Sequence, residues 1–437
     1  MGSITPLGAN RMASDNRPYG LSTATALVIG GMIGSGIFIL PAQIAPFGWT
    51  GVVGWIVAIG GAMLLAWLIG QLTRAKPQTD GIVPLCAEAL GPVPGLLIGW
   101  AYWVANCATN AVYALAATRY LALLFPVLGA TTLNTVISAL AILWAITALN
   151  SGGARGVGLF QQVTTVLKVL PLVAIILILG GFMLSGGHQF HTETQAPFAP
   201  SQLTPALGVT FFAMLGFEGA SVIAGLVRDP ERNIARATLI GVSVTGLIYL
   251  IISTGIMLTL PPAALAQSGA PIALFIGQFI GTRAGLVIAV FGAISIIGAL
   301  NCWVLVNAEL PLGMARSGLL PRWLGVTNAR NVPIRQLLLS SMTSTLLILT
   351  GLSRSTGGLL DFMALVTTAS NLWLYAGACV AALMLRIARP FAIVGFAFSL
   401  WVIWGTGWSA ISLSIALMLT ALPLYWLRGA PKQPAKY

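Results

Sequence analysis

The chain has 437 residues, of which 57% are hydrophobic and only 7% are charged, and its mean hydropathy is +0.94. Soluble domains carry about 25% charged residues, so this composition excludes an ordinary soluble protein and predicts an all-α polytopic membrane protein. The formal net charge of +12 would also suit a protein that binds nucleic acid, and the positions of the charges decide between these two explanations.

A membrane-spanning helix needs about 20 mostly apolar residues. Runs of this kind, bounded by polar residues, Pro or Gly, predict about twelve transmembrane helices: 22–46, 50–72, 92–125, 131–150, 158–184, 203–227, 235–260, 283–314, 334–352, 358–386, 389–406 and 408–427. Only a predicted turn at 405–407 divides the last two. The third and eighth spans are longer than a bilayer requires, so we expect them to tilt or to project into the cytoplasm.

Lysine and arginine are enriched in the cytoplasmic loops of membrane proteins. If the N-terminus lies in the cytoplasm, 17 of the 21 basic residues fall on that side: Arg11, Arg17, Arg74, Lys76, Arg155, Arg228, Arg232, Arg236, Arg316, Arg322, Arg330, Arg335, Arg386, Arg389, Arg428, Lys432 and Lys436. Arg283 and Arg354 fall outside, and Arg119 and Lys168 lie within spans. This bias predicts that both termini are cytoplasmic, and it explains the net charge without nucleic acid.

Motifs of catalysis are absent from the sequence. It has no Walker A loop and no HExxH motif, and its two histidines, His188 and His191, share one loop. The four cysteines lie in or beside spans without metal-ligand spacing. We therefore expect neither an enzyme nor a bound metal or cofactor, and any active transport must be driven by gradients or by exchange.

Two predicted spans contain clusters of glycine, which disfavours a helix by about 1 kcal/mol relative to alanine. The first span contains GGMIGSGIFILP at residues 30–41, and the sixth contains VTFFAMLGFEGASVIAGL, with Gly216 and Gly219 around Glu218. Close helix packing explains single glycines in membrane helices. Breaks at corresponding positions five spans apart are instead typical of transporters built from inverted repeats.

The five-span offset predicts how the chain is divided. A first inverted repeat covers 22–184, a second covers 203–386, and two further spans cover 389–427. The remaining segments, 1–21 and 428–437, are predicted to be cytoplasmic tails.

An unwound membrane helix leaves backbone N–H and C=O groups without helical partners. A zwitterion satisfies both kinds of group. We therefore expect the carboxylate of an amino acid to meet the amides of Ser35 and Gly36, and its ammonium to meet carbonyls around Met32 and 211–214.

These motifs resemble the amino acid–polyamine–organocation superfamily, and among its members they are most similar to the bacterial arginine/agmatine antiporters. The resemblance rests on GGMIGSGIFILP and FAMLGFEGASVIAGLVRDPERNIARA, and it extends over nearly the whole chain through QTDGIVPLCAEALG, AYWVANCATNAVYALA and ALNCWVLVNAELPLGMARSGLLP. It implies a LeuT-type fold of five plus five inverted helices with helices 1 and 6 broken, alternating access and commonly a homodimer.

Ionisable side chains at membrane depth are functional candidates because they are costly there. The resemblance implies that Glu218 acts in proton-linked substrate coupling. It places Lys168 where sodium-coupled relatives bind a cation; the diamine and agmatine antiporters lack this lysine, which favours an amino-acid carrier. The structural alternatives are that Glu218 holds two helices together and that Lys168 extends to the cytoplasmic interface. We expect Glu309 to form an interfacial salt bridge and Arg119 to snorkel at the outer end of its span.

Aromatic and polar residues near the breaks are candidates for the pocket. Phe212 stands where the antiporters carry the sixth-span tryptophan that stacks on guanidinium, so cation–π binding should be weaker here. Trp303 matches their eighth-span aromatic gate, and Asn371 is a further candidate. With Glu218 and Lys168 as proton-coupling residues, the predicted substrate-binding residues are Met32, Ile33, Gly34, Ser35, Gly36, Tyr102, Asn106, Asn110, Tyr113, Phe211, Phe212, Met214, Leu215, Gly216, Trp303 and Ser370.

The sequence as a whole predicts a secondary active amino-acid transporter of the bacterial inner membrane that works by alternating access, either by proton symport or by exchange. Its expected partners are a small-molecule amino acid, protons in the case of symport, and the lipid bilayer. Two alternatives stay open: an arginine/agmatine or diamine antiporter, and a receptor or channel that binds amino acids without transporting them. The pocket residues suit a neutral or apolar amino acid as well as arginine.

Overall fold

A computed structural model describes residues 20–76, 82–152, 154–218, 227–330, 332–350 and 356–427. In this part of the chain the α-helices are α1 Leu21–Met32, α2 Gly36–Ile44, α3 Trp49–Ala75, α4 Ile82–Leu90, α5 Pro92–Ala122, α6 Thr132–Ser151, α7 Ala154–Leu184, α8 Pro200–Met214, α9 Pro230–Thr259, α10 Pro262–Ala266, α11 Pro271–Phe279, α12 Thr282–Arg316, α13 Ile334–Leu349, α14 Thr356–Met384, α15 Arg389–Gly405, α16 Trp408–Leu419 and α17 Leu422–Leu427. Short 3-10 helices lie in the described connections at Ala45–Phe47, Pro126–Gly129, Thr192–Thr194 and Arg322–Leu324.

The architecture is that of a polytopic all-α membrane protein, as predicted. Among the described residues, seven helical segments are long and apolar enough to cross a membrane: Trp49–Ala75, Thr132–Ser151, Leu167–Leu184, Glu231–Thr259, Thr282–Arg316, Asp361–Met384 and Trp408–Trp426. Three shorter apolar helices coincide with other predicted spans: Gly36–Phe47, Ile334–Leu349 and Arg389–Gly405. The number of twelve spans stays a prediction.

The first predicted span is interrupted at its glycine cluster. α1 ends at Met32 because Ile33 leaves the helical region, with φ −72° and ψ 85°. The chain becomes helical again at Gly36, the first residue of α2. Residues 33–35 are therefore a non-helical segment between two half-helices.

The sixth predicted span also stops at its glycine cluster. α8 ends at Met214 because Leu215 is extended, with φ −67° and ψ 153°. Gly216 follows with φ +105°, a backbone conformation that side chains disfavour. Residues 219–226 of this predicted span, including Gly219, lie outside the described residues.

α5 forms the centre of the bundle. Of its 31 residues, 23 are buried, and it packs mainly against α12 and α14. Around it, α1 packs against α9, and α3 packs against both α8 and α9. The third predicted span, with its polar residues, therefore lies inside the protein and not against lipid.

The structure contains short helices that the sequence analysis did not predict. α4 lies between the second and third predicted spans, and α10 and α11 lie between the seventh and eighth. They were missed because each is far shorter than a membrane span. The predicted turn at 405–407 is present, with Gly407 at φ +83°, but the twelfth predicted span is further divided at Thr420 and Ala421 into α16 and α17.

Candidate functional site

The two interrupted segments lie against each other. A Cβ atom added at Gly216 would lie 3.4 Å from the carbonyl oxygen of Gly31 and 3.1 Å from Cζ2 of Trp303. A Cβ atom at Gly36 would lie 2.8 Å from the Cβ of Ala213. The 2.8 Å and 3.1 Å distances are shorter than ordinary packing allows, so glycine at these two positions lets the α1–α2 break and the end of α8 approach closely.

The side chain of Lys168 caps the end of α1. It is 1% exposed, and its ammonium donates to the carbonyl oxygens of Gly30 at 2.8 Å and Ile33 at 3.1 Å. The last carbonyls of a helix have no intrahelical partner and carry partial negative charge. The lysine therefore joins α7 to the first break inside the protein and does not extend to the interface.

Glu218 lies just after the end of α8 and is also 1% exposed. Its carboxylate accepts hydrogen bonds from the hydroxyl groups of Tyr102 at 3.0 Å and Tyr375 at 2.6 Å, and from the N–H of Gly216 at 3.1 Å. Tyr102 belongs to α5 and Tyr375 to α14. The carboxylate thus connects the second break to two other helices.

Two further tyrosines contact the first break. Tyr249 of α9 donates its hydroxyl hydrogen to the carbonyl oxygen of Met32 at 2.6 Å. The Tyr113 ring lies so close to Gly34 that an added Cβ atom would be 2.2 Å from its hydroxyl oxygen. The sequence analysis missed Tyr249, although a buried tyrosine in an apolar helix usually has a hydrogen-bond partner for its hydroxyl group.

A small enclosed cavity lies between the breaks, with a volume of about 10 Å³, which is room for about one water molecule. Its lining residues are Met32, Gly36, Asn106, Thr109, Tyr113, Phe212, Ala213, Leu215, Trp303 and Asn371. Seven of these belong to the predicted substrate-binding set, and Asn371 was a further candidate. Thr109 and Ala213 were not predicted.

The other predicted residues lie elsewhere around the breaks. Six of them belong to the interrupted backbone or flank it: Ile33, Gly34, Ser35, Phe211, Met214 and Gly216. Tyr102 faces Glu218. Asn110 and Ser370 are buried, but neither lines the cavity. On α5 the cavity-lining residues Asn106, Thr109 and Tyr113 follow helical spacing.

Several buried polar atoms near the breaks make no hydrogen bond within the described part of the chain. They are the hydroxyl oxygens of Ser35 and Ser370, the side-chain oxygen of Asn371, and both amide atoms of Asn110. A buried polar atom without a partner costs about 1–3 kcal/mol. Such a concentration is typical of a site that receives a polar ligand or water.

A second, larger cavity lies on the other side of Phe212. Its volume is about 570 Å³, and its lining includes Gln43, Arg119, Phe212 and Asp361. The charge count predicts that this end of the bundle faces the outside of the cell. Phe212 borders both cavities and separates them.

Of the remaining candidates, Arg119 is partly buried beside the larger cavity, and Glu309 is exposed. The ion pairs within 4.0 Å among the described residues are Lys76–Glu88 and His191–Glu193, so the salt bridge expected for Glu309 is not formed there. The same residues contain no group of three His, Cys, Asp or Glu side chains able to hold a metal ion.

Comparison with known proteins agrees with this architecture. A family model described as amino acid permease matches residues 19–433. The chain is 29% identical to the cadaverine/lysine antiporter of Escherichia coli K12, over 79% of this chain and 78% of that protein. It is 33% identical to the arginine/ornithine antiporter of Pseudomonas aeruginosa, over 74% of this chain and 68% of that protein. An arginine/ornithine antiporter of Latilactobacillus sakei is 29% identical, over 72% of this chain and 69% of that protein.

These relatives are transporters and not enzymes, and the family match covers nearly the whole chain. The chain therefore belongs to the amino acid permease family, within the amino acid–polyamine–organocation superfamily, and is a multi-pass membrane transporter.

Proposed function

We propose that the protein is a secondary active amino-acid transporter that holds the zwitterion of its substrate between the α1–α2 break and the end of α8. The observation that carries this proposal is the close contact of the two breaks, Gly31 with Gly216, beside a buried polar cavity. Alternating access of this cavity to the two sides of the membrane would then move the substrate.

The carboxylate of the substrate fits the start of α2. Ser35 is the N-cap of this helix and makes no side-chain cap bond. The first N–H groups of a helix lack intrahelical partners and attract anions. The buried hydroxyl oxygen of Ser35 has no hydrogen-bond partner among the described residues, so it is available for the same carboxylate.

The ammonium of the substrate fits the end of α8 better than the end of α1. The carbonyls of Gly30 and Ile33 accept from Lys168, and that of Met32 accepts from Tyr249. At α8, the N–H of Leu215 bonds to the carbonyl of Phe212, three residues back, at 3.3 Å. The α-helical pattern ends there, so we assign the ammonium to carbonyls in 211–214.

The neutral groups around the cavity favour a neutral amino acid. The cavity's uncharged polar side chains are those of Asn106, Thr109, Tyr113 and Asn371. The aromatic ring of Trp303 also lines it. The nearby carboxylate of Glu218 already accepts three hydrogen bonds. A cationic side chain would therefore have to share this carboxylate with those donors.

The names of the relatives favour a second candidate. These relatives are antiporters named for cadaverine and lysine or for arginine and ornithine. The alternative is therefore an antiporter of the arginine/agmatine or diamine type. A receptor or channel is less well supported because the family is one of permeases.

Lys168 and Glu218 are the groups that we assign to proton coupling, because each is buried and joins a break to other helices. We place both termini in the cytoplasm of a bacterial cell from the charge count, and the breaks five spans apart support the division into repeats at 22–184 and 203–386. The short helices α4 and α11 also lie five predicted spans apart, which agrees with this division.

Counterflow into proteoliposomes tests the transport function. Liposomes containing the full chain are loaded with unlabelled L-alanine, L-leucine, L-lysine, L-arginine or L-ornithine, and entry of the same radiolabelled compound is measured at several pH values. Accumulation above protein-free liposomes supports the proposal, and a preference for alanine or leucine supports the neutral-substrate assignment. Specific binding of these compounds without accumulation of any of them would contradict transport and favour a receptor.

A further inference from the structure

The connection between α12 and α13, residues 317–333, lies at the end of the bundle that the charge count predicts to be cytoplasmic. From residue 310 to residue 360 the sequence contains five arginines and no aspartate or glutamate. Three of them belong to this connection or to the first turn of α13: Arg322, Arg330 and Arg335. All three are exposed, and none takes part in the ion pairs within 4.0 Å that the described residues form. Within this part of the chain, no carboxylate therefore balances their charge by contact.

The start of α9, which is also predicted to be cytoplasmic, differs in this respect. Its three arginines, Arg228, Arg232 and Arg236, are accompanied by Asp229 and Glu231. Acidic residues contribute little to the charge bias that orients membrane proteins. That bias therefore explains the arginines of both segments, but it does not explain why the α12–α13 connection has no acidic residues.

Hydrogen bonds hold this connection in a defined shape. The side-chain oxygen of Asn328 accepts from the N–H groups of Arg330 and Val332, both at 2.9 Å. The N–H of Asn328 donates in turn to the carbonyl oxygen of Val332 at 3.0 Å. The guanidinium of Arg335 donates to the carbonyl oxygen of Trp323 at 2.9 Å, which ties the 3-10 helix of the connection to the first turn of α13. The arginines thus belong to one folded surface.

The position of Arg335 is unfavourable for its own helix. It lies in the first turn of α13, where the positive end of the helix dipole disfavours a cation. This turn contains no acidic residue that would offset the effect. An anion bound beside Arg335 would reduce the repulsion, because it would attract both the guanidinium and the start of the helix.

Apolar side chains adjoin the arginines. Trp323 and Val326 are each about half exposed, and tryptophan is enriched at the level of lipid headgroups. Three exposed apolar residues of α13 recur at four-residue spacing and form one stripe along the helix: Leu338, Met342 and Leu346. Arg335 lies three residues before this stripe begins, on the same side of α13. A charged group therefore lies at the end of an apolar stripe, as the headgroup of a lipid lies at the end of its acyl chains.

We propose that Arg322, Trp323, Arg330, Arg335 and the apolar stripe of α13 form a binding site for an anionic phospholipid. The guanidinium groups bind the phosphate, for which arginine has a matching geometry, and the acyl chains lie along the stripe. A soluble phosphate would contact the arginines alone, so the adjoining apolar surface favours a lipid. The inference goes beyond transport, and it depends on the predicted orientation only for which leaflet supplies the lipid.

Binding of phosphatidylglycerol to the purified full chain tests this site. The protein is kept in detergent, phosphatidylglycerol or the zwitterionic phosphatidylcholine is added, and native mass spectrometry counts the bound lipids. We expect wild type to bind phosphatidylglycerol more tightly than phosphatidylcholine. The double variant Arg322→Gln with Arg330→Gln should raise the half-saturating concentration of phosphatidylglycerol about thirtyfold, equivalent to about 2 kcal/mol. The corresponding double change to lysine keeps both charges and should retain most of the binding.

Arg232→Gln with Arg236→Gln is the matched control. It also removes two exposed arginines from the predicted cytoplasmic side, but from the segment that contains Asp229 and Glu231, and it should bind phosphatidylglycerol as wild type does. Thermal unfolding in phosphatidylcholine alone, with midpoints equal to that of wild type, verifies that both double variants are folded. Trp323→Ala alters an exposed residue and should weaken the binding of both lipids.

Equal phosphatidylglycerol binding by wild type and the Arg322/Arg330 glutamine variant would overturn the site. An equal loss in the Arg232/Arg236 control would also overturn it, since binding would then follow total charge. Displacement of the lipid by inorganic phosphate at the same concentration would indicate a site for soluble anions instead. The lipid count requires no transport, so a protein that binds phosphatidylglycerol here but transports no amino acid would contradict the proposed function alone.

Discussion

At the first break the ammonium of Lys168 reaches two backbone carbonyls, whereas at the second break the carboxylate of Glu218 receives two tyrosine hydroxyl groups and one N–H. Lys168 comes from α7, a different helix from the one that it caps. Glu218 comes from the interrupted segment itself and is held by α5 and α14. Side chains of opposite charge therefore stabilise the two breaks.

Because the two charges are opposite, a change of protonation would affect different neighbours at the two breaks. Loss of a proton from Lys168 would remove its charge and weaken the connection between α7 and the end of α1. Gain of a proton by Glu218 would weaken its charge-assisted hydrogen bonds to Tyr102 and Tyr375. The first change would loosen the α1–α2 break, and the second would loosen the end of α8 from α5 and α14.

Lys168→Ala should have the largest effect. The carbonyls of Gly30 and Ile33 would lose hydrogen bonds to a charged donor, each worth about 1.5–3 kcal/mol. We expect transport to fall at least about a hundredfold, which corresponds to about 2.8 kcal/mol, while the protein remains folded with a lower midpoint of thermal unfolding. Counterflow and a thermal melt measure the two effects.

The control for this substitution is Lys76→Ala, which breaks an exposed ion pair with Glu88. Exposed pairs contribute about 0–1 kcal/mol, so both measurements should stay close to wild type. Unchanged proton-dependent uptake in Lys168→Ala would contradict the coupling role of the lysine.

Gly34→Ala tests whether the first break must remain open for Tyr113. The added Cβ atom would lie 2.2 Å from the tyrosine hydroxyl oxygen, so the ring or the backbone has to move. We expect substrate affinity to fall more than about tenfold, or about 1.4 kcal/mol, measured as loss of thermal stabilisation by the transported amino acid.

Gly60→Ala is the matched control, since an added Cβ atom there meets nothing within 4 Å. Alanine favours a helix by about 1 kcal/mol over glycine, so this variant should be at least as stable as wild type and should bind substrate normally. Normal substrate binding by Gly34→Ala would show that Tyr113 can move without cost to the site.

Glu218→Gln should have the smallest effect on rate but a distinct effect on pH dependence. The amide keeps an oxygen that can accept from one tyrosine, and the loss of charge assistance costs roughly 1 kcal/mol. We expect transport within about tenfold of wild type and a flat pH profile, measured by counterflow at several pH values. Glu309→Gln, at an exposed position of α12, should keep the wild-type profile, and a wild-type profile in Glu218→Gln would refute the assignment.

Some parts of the site could be predicted because their signal is local. Glycine clusters, a lysine and a glutamate inside apolar runs, and the spacing between them are all visible in the sequence. Asn110 shows the limit of such spacing: on α5 it lies one residue beyond Thr109, a rotation of about 100°, and it does not line the cavity, whereas Thr109 does. Thr109 and Asn110 lie about 50° on either side of the direction shared by Asn106 and Tyr113, so helical spacing alone could not choose between them.

Other parts could not be predicted because they depend on contacts between distant segments. Tyr249 reaches Met32 across 217 residues, and Tyr375 reaches Glu218 across 157. Arg119 resembled a snorkelling residue at a span end, but the turn between α10 and α11 covers it beside the larger cavity. No local pattern encodes which hydroxyl meets which backbone group.

By itself, the sequence determined the membrane environment, the helical class, the positions of the two breaks and the superfamily, because apolar runs and glycine clusters act through local backbone energetics and burial in lipid. The tertiary structure alone decided that Lys168 occupies the carbonyls of α1 and that Glu218 is held by two tyrosines. It also decided that Arg119 and Asp361 share one cavity. Hydrogen bonds and charge pairs depend on distances in space, and helix packing sets those distances.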